Sequence, residues 1–373
     1  MTLSTEVAVI GGGIAGVSAA YHLASTHRVT VLETEAQLAH HSTGRSAALF
    51  FENYGAGPIR PLTRASRRFF TNPPREISES PLISPRGALW IGRPDQAETL
   101  ARIEREGRET GCTMLPLSPT EAVERVPVIV GEKLAGALLE PDPLDMDVAA
   151  IHQVFVRGLR AAGGDILTSA PVTSLGRRNG RWRITAGTHE MEAEVVVNAA
   201  GAWGDQVAEM AGVAPVGLTP MRRTAFMVTG DETWSGWPMV VDADHDFYFK
   251  ADGSQLLCSP ADETPTEACD ARPDPIDVAL AIERINDATT LGIRSVRSEW
   301  AGLRTFTPDR SMVIGPEPSH AGFVWLVGQG GTGIQTAPAA GQLVAAIVRE
   351  APLPDDLSSF GVDPSVLGVE RLR

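Results

Sequence analysis

The chain is short of cysteine, of long apolar runs and of positive charge, and each shortage removes a class of protein. Its three cysteines, Cys112, Cys258 and Cys269, are odd in number and widely spaced, with no C-x-x-C pair. That speaks against a disulfide framework or a structural zinc module and for a reducing compartment. No apolar run approaches the ~18 residues of a membrane-spanning helix. No basic region precedes the first apolar stretch either, so no secretory signal is expected and a cytoplasmic location is. With 32 basic against 46 acidic side chains the formal charge is −14, and without a concentrated positive surface nucleic acid is not an expected partner. The eight histidines show no metal-ligand spacing: His40 and His41 are adjacent and the rest are scattered, so no metal site is expected. A G-x-S-x-G nucleophile elbow and internal repeats are also absent.

What is present describes a folded protein of ordinary composition. At 373 residues, 43% hydrophobic and 21% charged, the chain has room for two domains, or for one large α/β domain carrying an inserted second one. The stretch "VAVIGGGIAGVSAAYHLASTHRVTVLE" carries the strongest local signal. "VAVIG" reads as a strand buried on both faces, Ile14, Val17, Tyr21 and Ala24 recur at helical spacing, and "RVTVLE" is a second buried strand ending at Glu33. Inside this βαβ unit Gly11, Gly13 and Gly16 form G-x-G-x-x-G: a tight turn, a bare backbone for a pyrophosphate, and a close helix-to-strand contact. Glu33 falls where an acid accepts from the ribose hydroxyls of an adenosine. Dinucleotide binding follows, but the motif does not separate FAD from NAD.

Three further segments share a character. "HSTGRSAALF" is small and polar, with Arg45 between Gly44 and Ser46, and suits a backbone wrapped around phosphate and a flat ring, Arg45 supplying charge. "AEVVVNAAGAWGDQVAEMAG" runs from a buried strand through small residues into a helix. "FVWLVGQGGTGIQTAPAAGQLVAAIV" does so again, with Gly328, Gly330, Gly331 and Gly333 before a helix whose N-terminus faces whatever the glycines admit.

In this order the fingerprint, "HSTGRSAA", "VVVNAAGAW", "WAGLRTFTPD" and "GQGGTGIQT" resemble the FAD-dependent D-amino-acid oxidase superfamily, which includes glycine oxidase and sarcosine oxidase. The likeness extends furthest toward its bacterial D-arginine dehydrogenase branch and covers nearly the whole chain. It implies an α/β protein with a Rossmann-like FAD domain built from discontinuous segments (1–77, 142–215 and 305–373) and an α+β substrate domain (78–141 and 216–304) whose mixed, largely antiparallel sheet roofs the flavin. It implies non-covalent FAD held by Gly11, Gly13, Ile14, Ala15, Gly16, Glu33 and Thr34, by Gly44, Arg45, Ser46 and Ala47, by Val172, by Ala199, Gly201 and Trp203, and by Gly330, Gly331, Gly333, Ile334 and Gln335. It also implies a carboxylate-holding set of Arg223, Tyr248 and Arg304, closed by Tyr54, with Leu49, Ala88, Gly331, Thr332 and Gln335 toward the substrate.

The implied reaction oxidises the Cα–N bond of an amino acid by hydride transfer to flavin N5, and the imine then hydrolyses to a 2-oxo acid and ammonia. Leu49, Ala88 and Thr332 depart from the D-arginine dehydrogenase pattern, which has histidine, glutamate and tyrosine there. A neutral or hydrophobic D-amino acid is therefore expected, with Glu52, Asp242, Asp244 or Asp246 as possible relocated acids. No lysine stands near "SQLLCSP", which favours a dehydrogenase over an oxidase; Lys250 reads as a solvent-facing strand residue. The acceptor (quinone, dye or O2) stays open. So do two alternatives, a secondary amine of the sarcosine, glycine or imino-acid type, and a non-catalytic flavoprotein assembly factor.

Overall fold

The structure is a computed structural model and describes residues 3–373. Val7–Ile10 and Val29–Leu32, each fully buried, lie side by side and parallel, joined by the helix Ile14–Leu23. They are the centre of a six-stranded sheet ordered Asp165–Leu167, Val29–Leu32, Val7–Ile10, Val195–Asn198, Phe323–Val327, Val313–Pro316, parallel except for the last strand. Helices Ile14–Leu23 and Gly333–Val348 pack against each other, flanked by Arg60–Thr71 and Val148–Ala161. Their apolar faces bury Ala19, Leu23, Ala340, Leu343 and Val344 on the sheet. The opposite face is covered by the antiparallel strands Val172–Arg178, Arg181–Ala186 and His189–Ala193, which seat Trp182 and Ile184 against Phe323 and Trp325.

A nine-stranded sheet forms the second layer. Its order is Thr264–Pro265, Thr219–Thr229, Gln255–Ser259, Tyr248–Asp252, Met239–Asp242, Ala88–Gly92, Gly136–Glu140, Leu115–Leu117, with Ser298–Phe306 also paired to Thr219–Thr229. All pairs are antiparallel except Met239–Asp242 with Ala88–Gly92.

The period-two alternation of strands gives this sheet two unlike faces. Leu89, Phe226, Phe249 and Cys258 point to one face, where Val278, Ala281 and Ile285 of the helix Pro275–Ala288 cover them. The register sends Arg223, Ala225, Met227, Tyr248, Met239, Val241, Ala88, Trp90 and Glu140 to the other. A small sheet of Leu49–Phe50, Leu144–Met146 and Ile83–Pro85 lies beside this second face. No helix among the described residues is long and apolar enough to cross a membrane.

Candidate active site

The glycine loop is shaped by contacts that only glycine tolerates. Gly11 has φ +111°, and a Cβ there would lie 2.4 Å from the Ala199 carbonyl oxygen. At Gly16 a Cβ would lie 1.9 Å from the Gly11 oxygen, which is the close helix-to-strand approach that the fingerprint foretells. Glu33 braces the loop from the second strand: its Oε2 accepts from Gly12 N–H (2.8 Å) and its Oε1 from Glu35 N–H (2.9 Å). Thr43 Oγ1 accepts from Ile14 N–H at 3.0 Å, which ties the "HSTGRS" segment to the first turn of the helix.

Above this loop lies a cavity of about 540 Å³. Gly11, Gly13, Ile14, Ala15, Glu33, Thr34 and Val172 line it, together with Arg45, Ser46, Ala47, Ala199, Gly201 and Trp203. Gly330, Gly331, Gly333 and Ile334 line it as well, with Arg223, Tyr248 and Arg304 of the nine-stranded sheet. A Cβ on Gly330, at φ +54°, would strike the Phe306 ring at 2.2 Å, and one on Gly331 would come within 2.9 Å of the Tyr54 hydroxyl and 3.3 Å of Arg304 Cζ. The helices Ile14–Leu23 and Gly333–Val348 both begin at the cavity, where a Cβ on Gly333 would lie 3.8 Å from Ile14 Cγ2, so each brings a positive dipole end to it.

Two guanidinium groups meet in this cavity. Arg304 donates from Nη1 to the Tyr54 hydroxyl (3.2 Å). Arg223 donates from Nε to the Asp262 carbonyl (2.7 Å) and from Nη2 to Glu263 Oε1 (3.2 Å). Burial, and then the Arg304 charge, lower the Arg223 pKa. Burial also works against the Arg304 cation, but Tyr54, Tyr248, Glu263 and Asp262 outweigh it and raise its pKa. The neighbouring Arg222 serves the scaffold instead, pairing with Asp262 and Asp277. Two largely buried cations with Tyr54 and Tyr248 beside them form an arrangement able to hold a carboxylate.

Residues 6–347 match the family described as DAO, FAD dependent oxidoreductase. The chain belongs to this family. It is 26% identical over 359 residues to a glycine oxidase of Bacillus licheniformis, covering 93% of this chain and 94% of that one. It is 26% identical over 365 residues to human mitochondrial sarcosine dehydrogenase, covering 92% of this chain and 39% of that longer protein. The fold matches the crystal structure of glycine oxidase from Geobacillus kaustophilus with a TM-score of 0.85 at 22% identity, over 97% of this chain and 99% of the other.

Membership of the DAO family makes FAD the cofactor and the chain an amine or amino-acid oxidoreductase. The cavity fits that cofactor: it holds about 540 Å³, two helix N-termini border it, and glycines leave much of its wall as bare backbone.

Several side chains stand elsewhere than the sequence suggests. The guanidinium of Arg45 does not project freely to a phosphate. It donates to the carbonyls of His40, Ala271 and Ala301 and pairs with Asp270, so it fastens the cavity wall to the second sheet. Gln335 is buried with its amide engaged: Oε1 accepts from Phe51 N–H (3.1 Å) and Nε2 donates to Thr63 (3.0 Å). Thr332 donates to the Gln329 carbonyl, and its methyl lies against Gly55.

Leu49 packs into an apolar cluster with Met227, Met239, Val241, Tyr248 and Leu257, and Ala88 is fully buried. Gly16 and Gly44 hold backbone contacts, the latter with Ala39. Gly16, Gly44, Leu49, Ala88, Thr332, Gln335 and Tyr54 do not line the main cavity. Tyr54 stands at its wall through its hydrogen bond with Arg304.

Lys250 is not solvent-facing: its ammonium is 2.7 Å from Asp145 Oδ1, beside the Arg86–Asp145 pair. Asp145 belongs to another sheet, so no local pattern announced the pairing. The histidines likewise gave no metal spacing, yet Glu35, His40 and His41 bring ligand-type atoms within 4.8 Å of one another. A 2.9 Å hydrogen bond between His41 Nε2 and Glu35 accounts for their closeness, with His41 packed on the Trp203 ring.

The four acids considered as relocated partners are all engaged: Glu52 with Arg67 and Arg64, Asp242 with Arg93 and Gln96, Asp244 with Thr99, Asp246 with Arg93 and Arg284. Sequence reasoning passed over Glu140, a fully buried acid at the end of an apolar strand.

Proposed function

We propose that this chain oxidises the Cα–N bond of a D-amino acid, releasing a 2-oxo acid and ammonia after hydrolysis of the imine, and that it works as a dehydrogenase. One observation carries the reading: Arg223, which also pairs with Glu263, and Arg304 line the same cleft beside Tyr248, their charges close enough to oppose each other. A substrate carboxylate there gains charge-assisted hydrogen bonds from both and relieves their repulsion.

In this reading the backbone of Gly11, Gly13, Ile14 and Ala15, with Glu33 and Thr34, holds the adenosine diphosphate half of FAD, and Val172 meets the adenine. Ser46, Ala47, Ala199, Gly201 and Trp203 flank the middle, and Gly330, Gly331, Gly333 and Ile334 take the ring end. Attachment is non-covalent, since no cysteine lines the cavity and Cys258 points to the opposite sheet face. When bound, the flavin accepts the Cα hydrogen as hydride.

The protein supplies position. The two arginines and Tyr248 fix the carboxylate, Tyr54 is held on Arg304, and together they decide which face of Cα is presented. No side chain is needed as a base on Cα. The D configuration and the primary amine are supported by the likeness of "HSTGRSAA", "WAGLRTFTPD" and "GQGGTGIQT" to enzymes of that kind. The apolar cluster of Leu49, Met239 and Val241 packs behind Tyr248. Dehydrogenase rather than oxidase activity is supported by the absence of lysine among the cavity-lining residues and by the engagement of Lys250 with Asp145.

A secondary-amine substrate is the second reading, favoured by the likeness to sarcosine dehydrogenase and by a clamp that grips only the carboxylate end. A panel of D- and L-amino acids, N-methyl amino acids and 2-hydroxy acids, assayed with a dye acceptor and with O2, decides. Turnover of primary D-amino acids with dye and little with O2 is expected; preference for N-methyl substrates selects the second reading.

A further inference from the structure

Within the proposed reading, we infer that Arg45 is a positioning residue for the substrate carboxylate, and not a ligand of the cofactor's phosphates: it docks the strand that carries Arg304 onto the glycine-lined side of the cleft. Ser298–Phe306 pairs with Thr219–Thr229 and, among the described residues, with no other strand, so it is an edge of the nine-stranded sheet. Every second carbonyl of an edge strand points outward with no strand to meet it. Here three such carbonyls, at alternate positions, are met by residues of the cofactor cavity. Ala301 accepts from Arg45 Nη1 (2.9 Å), Leu303 from Ser42 Oγ (2.6 Å) and Thr305 from Gly330 N–H (2.9 Å).

The docking is reciprocal and close. Trp300 donates from Nε1 to the Arg45 carbonyl at 3.0 Å. A Cβ on Gly302 would lie 3.4 Å from Arg45 Cβ and 3.7 Å from Ser42 Cα, so the segment rests on the strand at the one residue without a side chain. The register settles which face is touched. Arg304 pairs with Met221, Gly302 with Arg223 and Trp300 with Ala225. Paired residues share a face and alternate residues return to it, so Ser42 and Arg45 lie against the face that carries both clamp arginines.

Little of the Arg45 guanidinium is left for a ligand. Besides Ala301 it donates to the carbonyls of Ala271 (3.0 Å) and His40 (3.2 Å) and pairs with Asp270. A guanidinium has five N–H groups, and these contacts occupy four of them while Asp270 answers its charge. Arg304, by contrast, is tied at its tip only to the Tyr54 hydroxyl. Its place over the cleft therefore depends on the strand beneath it, whose neighbouring carbonyls at Leu303 and Thr305 are the ones fastened to Ser42 and Gly330. A shift of about 1 Å in a substrate-holding group can cost about 10²-fold in rate.

The test uses the FAD-loaded protein with Arg45→Met, Arg45→Lys and Asp270→Asn, and two readouts that need no turnover. One is the dissociation constant of FAD; the other is that of acetate or benzoate, carboxylates the enzyme cannot oxidise, from the shift they cause in the visible flavin absorbance. Arg45→Met is expected to weaken the carboxylate by about tenfold or more and to raise KM for amino acids by a similar factor, with the FAD constant changed by less than about threefold. Arg45→Lys, with fewer donors, and Asp270→Asn, which loosens Arg45 from outside, should fall between. A phosphate ligand gives the reverse, FAD weakened about tenfold with carboxylate binding unmoved, and that result overturns the inference. So does a fall in kcat at constant KM, the mark of a merely structural residue. Should Arg45→Met fail to fold, Asp270→Asn decides, and carboxylate binding unchanged in it overturns the inference. If the carboxylates bind but no amino acid reduces the flavin, the proposed reaction falls and the role of Arg45 stands; if neither carboxylate perturbs the unmodified protein, both fall.

Discussion

Arg304 and Arg223 line the same cleft beside Tyr248, with Arg223 also paired to Glu263, and that arrangement sets the sharpest expectation at the scale of the residue. Arg304→Leu removes one arm of the clamp, and kcat/KM for amino acids should fall by about 10²–10³, the cost of a lost charge-assisted pair. FAD content should stay unchanged, because neither arginine belongs to the glycine loop; steady-state kinetics beside a flavin spectrum checks both. His22 gives a second expectation. Its Nε2 is buried without a partner, and burial, with the Arg349 charge, holds its pKa down at about 3 against an ordinary 6.5. The unfolded chain therefore binds a proton that the folded chain refuses. The contribution is complete above pH 6.5 and is lost progressively as pH falls toward 3. His22→Gln should flatten the dependence of Tm on pH across that window, and an unchanged slope contradicts this. The residues misjudged from sequence share one cause, since their partners are remote. Arg45 meets Asp270 and Ala301, Lys250 meets Asp145, and Glu140 faces Ala88 across a strand pair.

Elements were legible where their signal is local. The first strand, its glycines, the helix and Glu33 form one continuous stretch, and the structure builds them as a parallel pair joined by a helix. The strand order of the nine-stranded sheet was not legible. It joins segments from Ala88 to Phe306 by pairing, and the parallel pair of Met239–Asp242 with Ala88–Gly92 has no local mark. Gly16 tests the tightest contact in the fingerprint. Gly16→Val must open the Gly11–helix contact, where even a Cβ would sit 1.9 Å from an oxygen, and the purified variant should hold little or no flavin. Gly176→Ala, in open space on a strand of the covering sheet, should bind it normally. Equal flavin content in both variants contradicts the role given to the loop.

At the scale of the whole molecule, the glycine-lined cleft on one sheet meets the face of the other that carries Arg223, Tyr248 and Arg304, and the proposed site lies where the two layers touch. In the proposed reading the protein positions the substrate and leaves its amine to lose a proton to solvent, so kcat/KM should rise with pH from about 6 to 10 as the neutral amine accumulates. A flat profile would mean that the protein, or a different substrate class, supplies the titrating group. The most direct measurement is anaerobic mixing of the purified FAD-loaded protein with primary D-amino acids, following the visible flavin absorbance, with Arg304→Leu alongside. Rapid bleaching of the unmodified protein, and slow or absent bleaching of the variant, is the predicted result. Flavin that stays oxidised with every amino acid and amine, or that bleaches equally fast in the variant, would contradict the account.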